Sequence, residues 1–242
     1  MENNFENSFE NYQGNTLVNV ASEADRVAFY KKTYGHVAGG VLVFVLFEYL
    51  LLQSQTVIEF MLSMTEGYKW LLLLGGFMLV TTYAESTAMK TADKNKQYLA
   101  YGVYILAQAV IFVPMIYIAA FYMDSGPDIL QQAALVTLAL FTGLTAVVMM
   151  TKTDFSFLKA GLTIGGFIAL GLIVAGSLFG GFTLGLWFSV GMCLLAGGSI
   201  LYQTSQIKDK YTTEDYIPAA LGLFASLMLL FWYILRIFMS RD

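Results

Sequence analysis

The sequence predicts an all-α membrane protein with seven transmembrane helices. Seven apolar stretches, each about as long as the ~20 residues that cross a bilayer, follow one another and are separated by short charged connections. Hydrophobic residues make up 57% of the chain and charged residues only 12%, whereas charged residues make up roughly 25% of a soluble domain.

The apolar stretches are predicted to be helices rather than strands of a barrel. Hydrocarbon offers no partner for a free backbone N–H or C=O, so only helices and closed barrels cross a membrane. A barrel strand would show alternating apolar and polar residues over roughly ten positions. The stretches are instead continuous, as in GLTIGGFIALGLIVAGSLF (161–179). Continuous apolar runs of this length favour helices.

The chain is predicted to form one transmembrane domain preceded by a tail. Residues 1–25 are polar and lack both the basic start and the apolar core of a signal peptide, which indicates a disordered cytoplasmic tail. Residues 26–242 are predicted to form the seven-helix transmembrane domain. The predicted spans are 33–53, 69–89, 97–123, 128–150, 157–179, 184–206 and 217–239.

The distribution of basic residues predicts the orientation of these spans. Short cytoplasmic loops retain Lys and Arg. Ten basic residues flank the spans on the side of the N-terminus, and three flank them on the other side. The ten are Arg26, Lys31, Lys32, Lys90, Lys94, Lys96, Lys152, Lys159, Lys208 and Lys210, and the three are Lys69, Arg236 and Arg241. The N-terminus is therefore predicted to be cytoplasmic and the C-terminus to lie outside.

Glycines recur at spacings that allow helices to approach closely. Gly35 and Gly39 are four residues apart, and so are Gly161 and Gly165. Small residues at this spacing are typical of helix–helix contacts in lipid. The alternative is that glycine is simply common in membrane helices.

Polar residues within the predicted spans are the candidates for function, because an ionisable group at the centre of a membrane helix costs at least about 2.5 kcal/mol. Glu85 and Gln203 lie close enough to a span end for headgroup contact, and the same alternative holds for Glu48. Gln108 and Ser226 have the alternative of a hydrogen bond between helices. Arg236 is interpreted as an interface anchor. The residues considered are Glu48, Glu85, Gln108, Gln203, Ser226 and Arg236.

No catalytic or cofactor motif is present in the sequence. It contains no H-E-x-x-H, no G-x-S-x-G and no glycine-rich phosphate loop, and it has one His and one Cys. We therefore expect no enzyme activity and no cofactor, and the sequence defines no metal site. The chain also lacks the basic stripe that would indicate a nucleic-acid partner.

Several segments resemble the Bax inhibitor family, also called the transmembrane Bax inhibitor motif family, in a bacterial version. The most specific are TKTDFSFL (151–158), ILYQTSQI (200–207) and the end of the chain, AALGLF and LLFWYILRIF. The similarity covers residues from about 29 to 239. It implies six helices around a central C-terminal helix, a closed or leaky pore for cations, calcium in particular, and a bacterial inner-membrane location.

The resemblance also implies a pH sensor that this sequence lacks. The common form of the family carries an acidic pair, with one Asp on the sixth helix and one on the seventh. The corresponding positions here are Gln203, within Tyr202-Gln203-Thr204, and Ser226. Neither side chain can ionise. We hypothesise that Glu85 takes the place of the missing pair by accepting hydrogen bonds from Gln203 and Tyr202.

Two functions follow from the resemblance. The first is a cation leak channel, with calcium as the expected ion and the pore or gating candidates Gln203, Ser226, Glu85, Tyr202, Thr204, Gln108 and Glu48. The alternative is a membrane interaction protein that transports nothing and modulates a membrane-integrated protease, a role that needs no titrating pair. The expected partners are the lipid bilayer and either cations or such a protease.

Overall fold

A computed structural model of the chain describes residues 16–151, 153–179 and 184–240, and over these residues it forms eight helices. Seven of the eight, all except α2, are long and apolar enough to cross a membrane. The helices are α1 (Glu23–Leu51), α2 (Gln55–Ser63), α3 (Tyr68–Lys90), α4 (Lys94–Phe121), α5 (Gly126–Met150), α6 (Leu158–Leu178), α7 (Leu186–Asp209) and α8 (Tyr216–Met239). The prediction of an all-α membrane protein with seven spanning helices is confirmed.

The first spanning helix and the connection after it differ from the predicted spans. Helix α1 begins ten residues before the predicted start, where Ser22 Oγ accepts a hydrogen bond from Asp25 N at 3.2 Å. Its first turns are polar, so apolar periodicity does not reveal them. The short helix α2 was not predicted, because nine residues are too few to span a membrane; it buries Ile58 and Met61.

The centre of the fold is occupied by α8 together with α4. Helix α8 packs against α1, α3, α4, α5 and α7, which agrees with a central C-terminal helix. The apolar window of α4 is buried to the same extent as that of α8. Helix α6 lies at the periphery, where it packs against α7 and α3 and where Ala169 is its one buried residue.

The outer surface of the helices is apolar, as a bilayer requires. Leu72, Leu79, Phe167 and Trp187 expose most of their side chains. Contiguous apolar patches of this extent are unusual on a soluble monomer. In a lipid environment the same side chains face acyl chains, so the surface supports a multi-pass membrane protein.

The residues before α1 are paired with the turn between α7 and α8. Val18 is fully buried, and its N–H donates to Tyr211 O at 2.9 Å. Thr213 N donates to Thr16 O at 3.0 Å, which completes an antiparallel bridge. The predicted tail of residues 1–25 is therefore held by backbone pairing from residue 16 onward. Residues 1–15 lie outside the described residues, and there the tail stays a prediction.

The glycine spacing predicted the close contacts only in part. A Cβ on Gly35, Gly39 or Gly161 would meet nothing within 4 Å, so the prediction of close helix packing is wrong at these positions. A Cβ on Gly165 would lie 2.7 Å from Leu195 Cδ1. Spacing along one helix cannot show which of its faces meets a neighbour.

The closest approach at a glycine of α1 is at Gly40. A Cβ there would overlap the Tyr101 hydroxyl of α4 and lie 3.3 Å from Phe224 Cδ2 of α8. Tyr101 is buried, and its hydroxyl donates to His36 O at 2.9 Å. Gly40 thus allows α1 to rest on the two central helices.

We predict that Gly40→Ala lowers the thermal stability of the detergent-solubilised protein, whereas Gly39→Ala does not. The added methyl group at position 40 must displace a buried, hydrogen-bonded tyrosine, and such overpacking costs about 1–3 kcal/mol. Position 39 is on the same helix and has open space around it. Thermal unfolding of the two variants measures the difference. Equal melting temperatures would show that α1 does not rest on Tyr101.

Candidate functional site

A cavity of about 1000 Å³ runs along α8 and is lined by α3, α4, α6, α7 and α8. Its lining residues on α8 extend from Pro218 to Arg236, a rise of roughly 27 Å along a helix. This length is close to the ~30 Å hydrocarbon thickness of a bilayer. Lys210 lies at one end of the cavity and Arg236 at the other. We call these the Lys210 end and the Arg236 end.

Aromatic rings line the cavity toward the Arg236 end. Trp70 of α3 stacks on Trp232 of α8 with ring centroids 6.1 Å apart. Trp232 in turn meets Phe112 of α4 edge-on, with centroids 4.8 Å apart. Phe231 stacks on Phe112 at 5.7 Å. This part of the cavity is therefore apolar and rigid, since three helices share one set of ring contacts.

Gln203 and Ser226 lie on the seam between α7 and α8. Ser226 Oγ lies 2.9 Å from Ser199 Oγ and donates to Gly222 O at 3.1 Å. A Cβ on Gly222 would lie 3.0 Å from Gln203 Oε1, so the Gln203 amide rests on the Gly222 backbone. In this antiparallel register position 203 faces 222 and position 199 faces 226. Gln203 and Ser226 are therefore neighbours, offset by one helical turn.

Glu85 and Gln108 lie on the opposite wall of the cavity. Gln108 Nε2 is 3.5 Å from the Tyr104 hydroxyl, and the Glu85 carboxyl group lies close to the same hydroxyl. Tyr202 and Gln203 line the cavity as well. The structure thus brings Glu85 to the cavity that Gln203 lines but gives it Tyr104 as a partner. Its hydrogen bonds to Gln203 and Tyr202 stay a prediction.

Two predicted pore residues do not line the cavity. Thr204 is fully buried, and its hydroxyl lies beside those of Tyr34 and Thr145, on the side of α7 that faces α1 and α5. Glu48 is 4% exposed, and its carboxyl oxygens have no hydrogen-bond partner among the described residues. Thr204 and Glu48 thus lie outside this cavity, and their role as pore or gating residues stays a prediction. Because Thr204 follows Gln203 directly in the helix, its side chain lies on a different face of α7. Glu48 belongs to α1, which does not line the cavity.

The connection between α5 and α6 braces the Lys210 end. Gln206, which lines the cavity, donates from Nε2 to Ser156 Oγ at 2.8 Å. Phe155 N donates to Ser205 Oγ at 3.1 Å, and Lys208 Nζ donates to Thr151 O at 3.1 Å. The segment that most resembled the Bax inhibitor family is therefore the one that fixes the end of α7.

Asp154 is the carboxylate in this group of hydrogen bonds between the α5–α6 connection and the end of α7. Its Oδ1 accepts hydrogen bonds from Ser156 N at 2.8 Å and from Ser205 Oγ at 3.1 Å. Hydrogen bonds from the side chain and backbone of Ser156, followed by the bond from Ser205, hold the pKa of the Asp154 carboxyl below its usual range. The carboxylate is consequently ionised at neutral pH, where it can accept the hydrogen bonds from Ser156 and Ser205.

The turn after α7 completes the Lys210 end. Asp215 lines the cavity, but its Oδ2 accepts from Thr212 N at 2.9 Å and from Thr212 Oγ1 at 2.7 Å. Burial raises the pKa of the neighbouring Tyr211 to about 12, so its hydroxyl remains a donor. Asp215 and Glu85 are the carboxylates in the described lining. Within the described ranges, no group of three His, Cys, Asp or Glu residues lies close enough together to hold a metal ion.

Sequence reasoning missed several residues of the cavity. Arg236 was interpreted as an interface anchor, yet it lines the cavity and donates from Nη2 to Leu184 O at 2.7 Å. Ser199 and Gly222 were not identified at all. Each lies four residues from a named candidate, Gln203 and Ser226 respectively. The helical spacing i, i+4 is the signal that could have identified both.

Comparison with known proteins agrees with the resemblance. The family described as "Inhibitor of apoptosis-promoting Bax1" matches residues 26–242. The chain is 27% identical to the Golgi anti-apoptotic protein of Vaccinia virus over 90% of this chain and 87% of that protein. It is 35% identical to an uncharacterized protein of Pseudomonas aeruginosa over 48% of this chain and 52% of that protein. It is also 35% identical to mouse protein lifeguard 4 over 43% of this chain and 44% of that protein.

The family match covers the eight described helices, apart from the first three residues of α1, and every residue of the cavity. The alignment with the Pseudomonas protein spans about half the length of that relative, whereas the viral alignment spans most of both chains. The match and the seven spanning helices together establish that this chain is an integral membrane protein and belongs to the Bax inhibitor family.

Proposed function

We propose that this protein is a cation leak channel, with calcium as its principal ion, and that ions pass through the cavity along α8. The observation that carries the proposal is a cavity about as long as a bilayer is thick, with the Glu85 carboxyl group in its wall. The predicted orientation, with the N-terminus on the cytoplasmic side of a bacterial inner membrane, belongs to the same proposal.

Glu85 supplies the negative charge that a cation path needs. Of the two carboxylates in the described lining, Asp215 is already engaged by Thr212, whereas the neighbours of Glu85 are tyrosine hydroxyls. A carboxylate within low-dielectric walls concentrates cations locally. The hydroxyl and amide oxygens of Tyr104 and Gln203 are hard ligands of the type that Ca²⁺ accepts.

The cavity's two ends support a slow leak rather than a fast channel. Lys210 and Arg236 place a positive charge at each end, which raises the barrier for an entering cation. Between them, the rings of Trp70, Phe112 and Trp232 form an apolar section. Apolar sections of pores close by expelling water. Together these features support brief and infrequent openings.

Calcium uptake by liposomes that contain the purified protein tests this proposal. We expect Glu85→Gln to lower the uptake rate by about tenfold, because the cavity loses the charge that attracts cations. Glu23→Gln is the matched control, since Glu23 is an exposed carboxylate at the start of α1 that does not line this cavity. Its uptake rate should equal that of the unmodified protein.

Absence of any uptake by the unmodified protein would contradict the proposal. In that case the alternative of an interaction protein that modulates a membrane-integrated protease becomes the better account, since the non-ionising pair Gln203 and Ser226 is compatible with it. Purification from a native membrane in mild detergent then identifies whether such a protease accompanies the chain. Equal uptake by the Glu85→Gln and Glu23→Gln variants would place the ion path elsewhere.

A second prediction concerns pH. We expect calcium uptake by the unmodified protein to vary little between about pH 6 and 8, whereas Gln203→Asp combined with Ser226→Asp makes it pH-dependent. Two carboxylates roughly 6 Å apart repel by about 3 kcal/mol at an effective dielectric near 20. They should therefore titrate as a coupled pair. The uptake rate across this pH range measures the effect.

The two single variants are the controls for this coupling. Each places one carboxylate on the α7–α8 seam, beside Gly222 or beside Ser199, without a charged neighbour on that seam. The pH dependence of the double variant should exceed the sum of the two single effects. Additive behaviour would mean that the two positions do not interact, which would contradict the register described above.

A further inference from the structure

The Arg236 end of the cavity combines an apolar wall with one cationic group. Its apolar lining comes from α3, α6 and α8 and includes Trp70, Leu74, Phe77, Ile173, Leu229 and Trp232. Arg236 lies at the end of this section. The barrier to cation entry proposed above uses only the charge of Arg236 and leaves the hydrogen-bonding geometry of its guanidinium group without a role.

The Arg236 side chain retains unused hydrogen-bonding capacity. A guanidinium group has five N–H donors, and the structure engages it through Nη2, which donates to Leu184 O, and through its face, which lies 6.0 Å from the centroid of the Phe188 ring. Among the described residues, no carboxylate forms an ion pair with it. Arg236 is half-buried, and a guanidinium group in such a position is suited to a carboxylate or another planar anion.

The wall beside α6 offers a route from the lipid phase. Helix α6 contributes Ile173, Gly176 and Ser177 to the cavity, but Ala169 is its one buried residue. It is held by α3 and α7 at the edge of the molecule. The α6 wall is therefore the part of the cavity lining with the least protein between it and the lipid phase.

We propose that the Arg236 end of the cavity binds a single-chain amphiphile with an anionic head, such as a fatty acid. The chain lies along the wall of Trp70 and Trp232, and the carboxylate is held by Arg236. Ligand pockets have volumes of about 300–1,000 Å³, and this section is only part of a cavity of about 1000 Å³. That space suits one acyl chain better than two. The inference goes beyond the proposed ion leak and does not depend on it.

The test uses the tryptophans as reporters, because bromine atoms on an acyl chain quench nearby indole fluorescence. The sequence contains three tryptophans, and Trp187 is 85% exposed on the lipid-facing surface. In a Trp187→Phe variant in nanodiscs, dibrominated stearate should quench Trp70 and Trp232 in a saturable manner. Replacing Arg236 by Gln should weaken this binding by roughly tenfold or more, since a charge-assisted hydrogen bond is lost. Arg236→Lys should retain most of it.

Three controls separate the site from general partitioning. The methyl ester of the same brominated chain lacks the anionic head and should quench without saturation. A Trp70→Phe, Trp232→Phe variant leaves Trp187, which should report only partitioning into the bilayer. Unchanged thermal unfolding of the Arg236→Gln variant shows that the fold is intact; if that variant does not fold, the comparison of acid with ester in the Arg236→Lys variant decides.

The proposal would be overturned if the acid and its methyl ester gave the same saturable quenching. It would also be overturned if the brominated acid bound the Arg236→Gln variant and the unmodified protein with equal affinity. Quenching of Trp70 and Trp232 by brominated phosphatidylglycerol in the nanodisc, together with no effect of the free acid, would overturn the assignment to a single-chain ligand. None of these outcomes depends on calcium uptake, so a failure here is distinguishable from a failure of the ion-leak proposal.

Discussion

The contact between α7 and α8 is the feature on which the rest of the site depends. Gly222 has no side chain, so the Gln203 amide can rest on the α8 backbone, and one turn away two serine hydroxyls meet across the same seam. In lipid, helices associate through such close packing and through interhelical hydrogen bonds rather than through the hydrophobic effect. This seam sets the register of α7 on α8, and that register decides which side chains line the cavity.

The polar side chains that meet on this seam carry no ionisable acid. The hydroxyls of Ser199 and Ser226 share a hydrogen bond, and Ser226 Oγ also donates to Gly222 O. Neither these hydroxyls nor the Gln203 amide carries a charge that would need a counter-ion. The proposed consequence is that the path along α8 is not controlled by a proton on this seam. The charged groups of the site lie elsewhere: Glu85 is in the wall, and Lys210 and Arg236 are at the ends.

Most of the fold could be predicted from the sequence, because length and continuous hydropathy specify a membrane helix nearly on their own. Helix α2 and the early start of α1 could not, since both are polar or short. Apolar periodicity also cannot show which face of a helix contacts which neighbour. Thr204 follows Gln203 directly but belongs to another helix interface. Gly39 has open space around it, whereas Gly40 contacts Tyr101. The role of Arg236 in the cavity depends on tertiary contacts that no local pattern contains.

The measurement that tests the central claim most directly is cysteine accessibility along α7. In a Cys193→Ser background, which removes the single native cysteine, Gln203→Cys and Thr204→Cys place one thiol on the cavity side and one on the buried side of the same helix. A small, positively charged thiol reagent added to reconstituted protein should modify the first and leave the second unmodified. Equal modification of both, or modification of Thr204→Cys alone, would contradict the account.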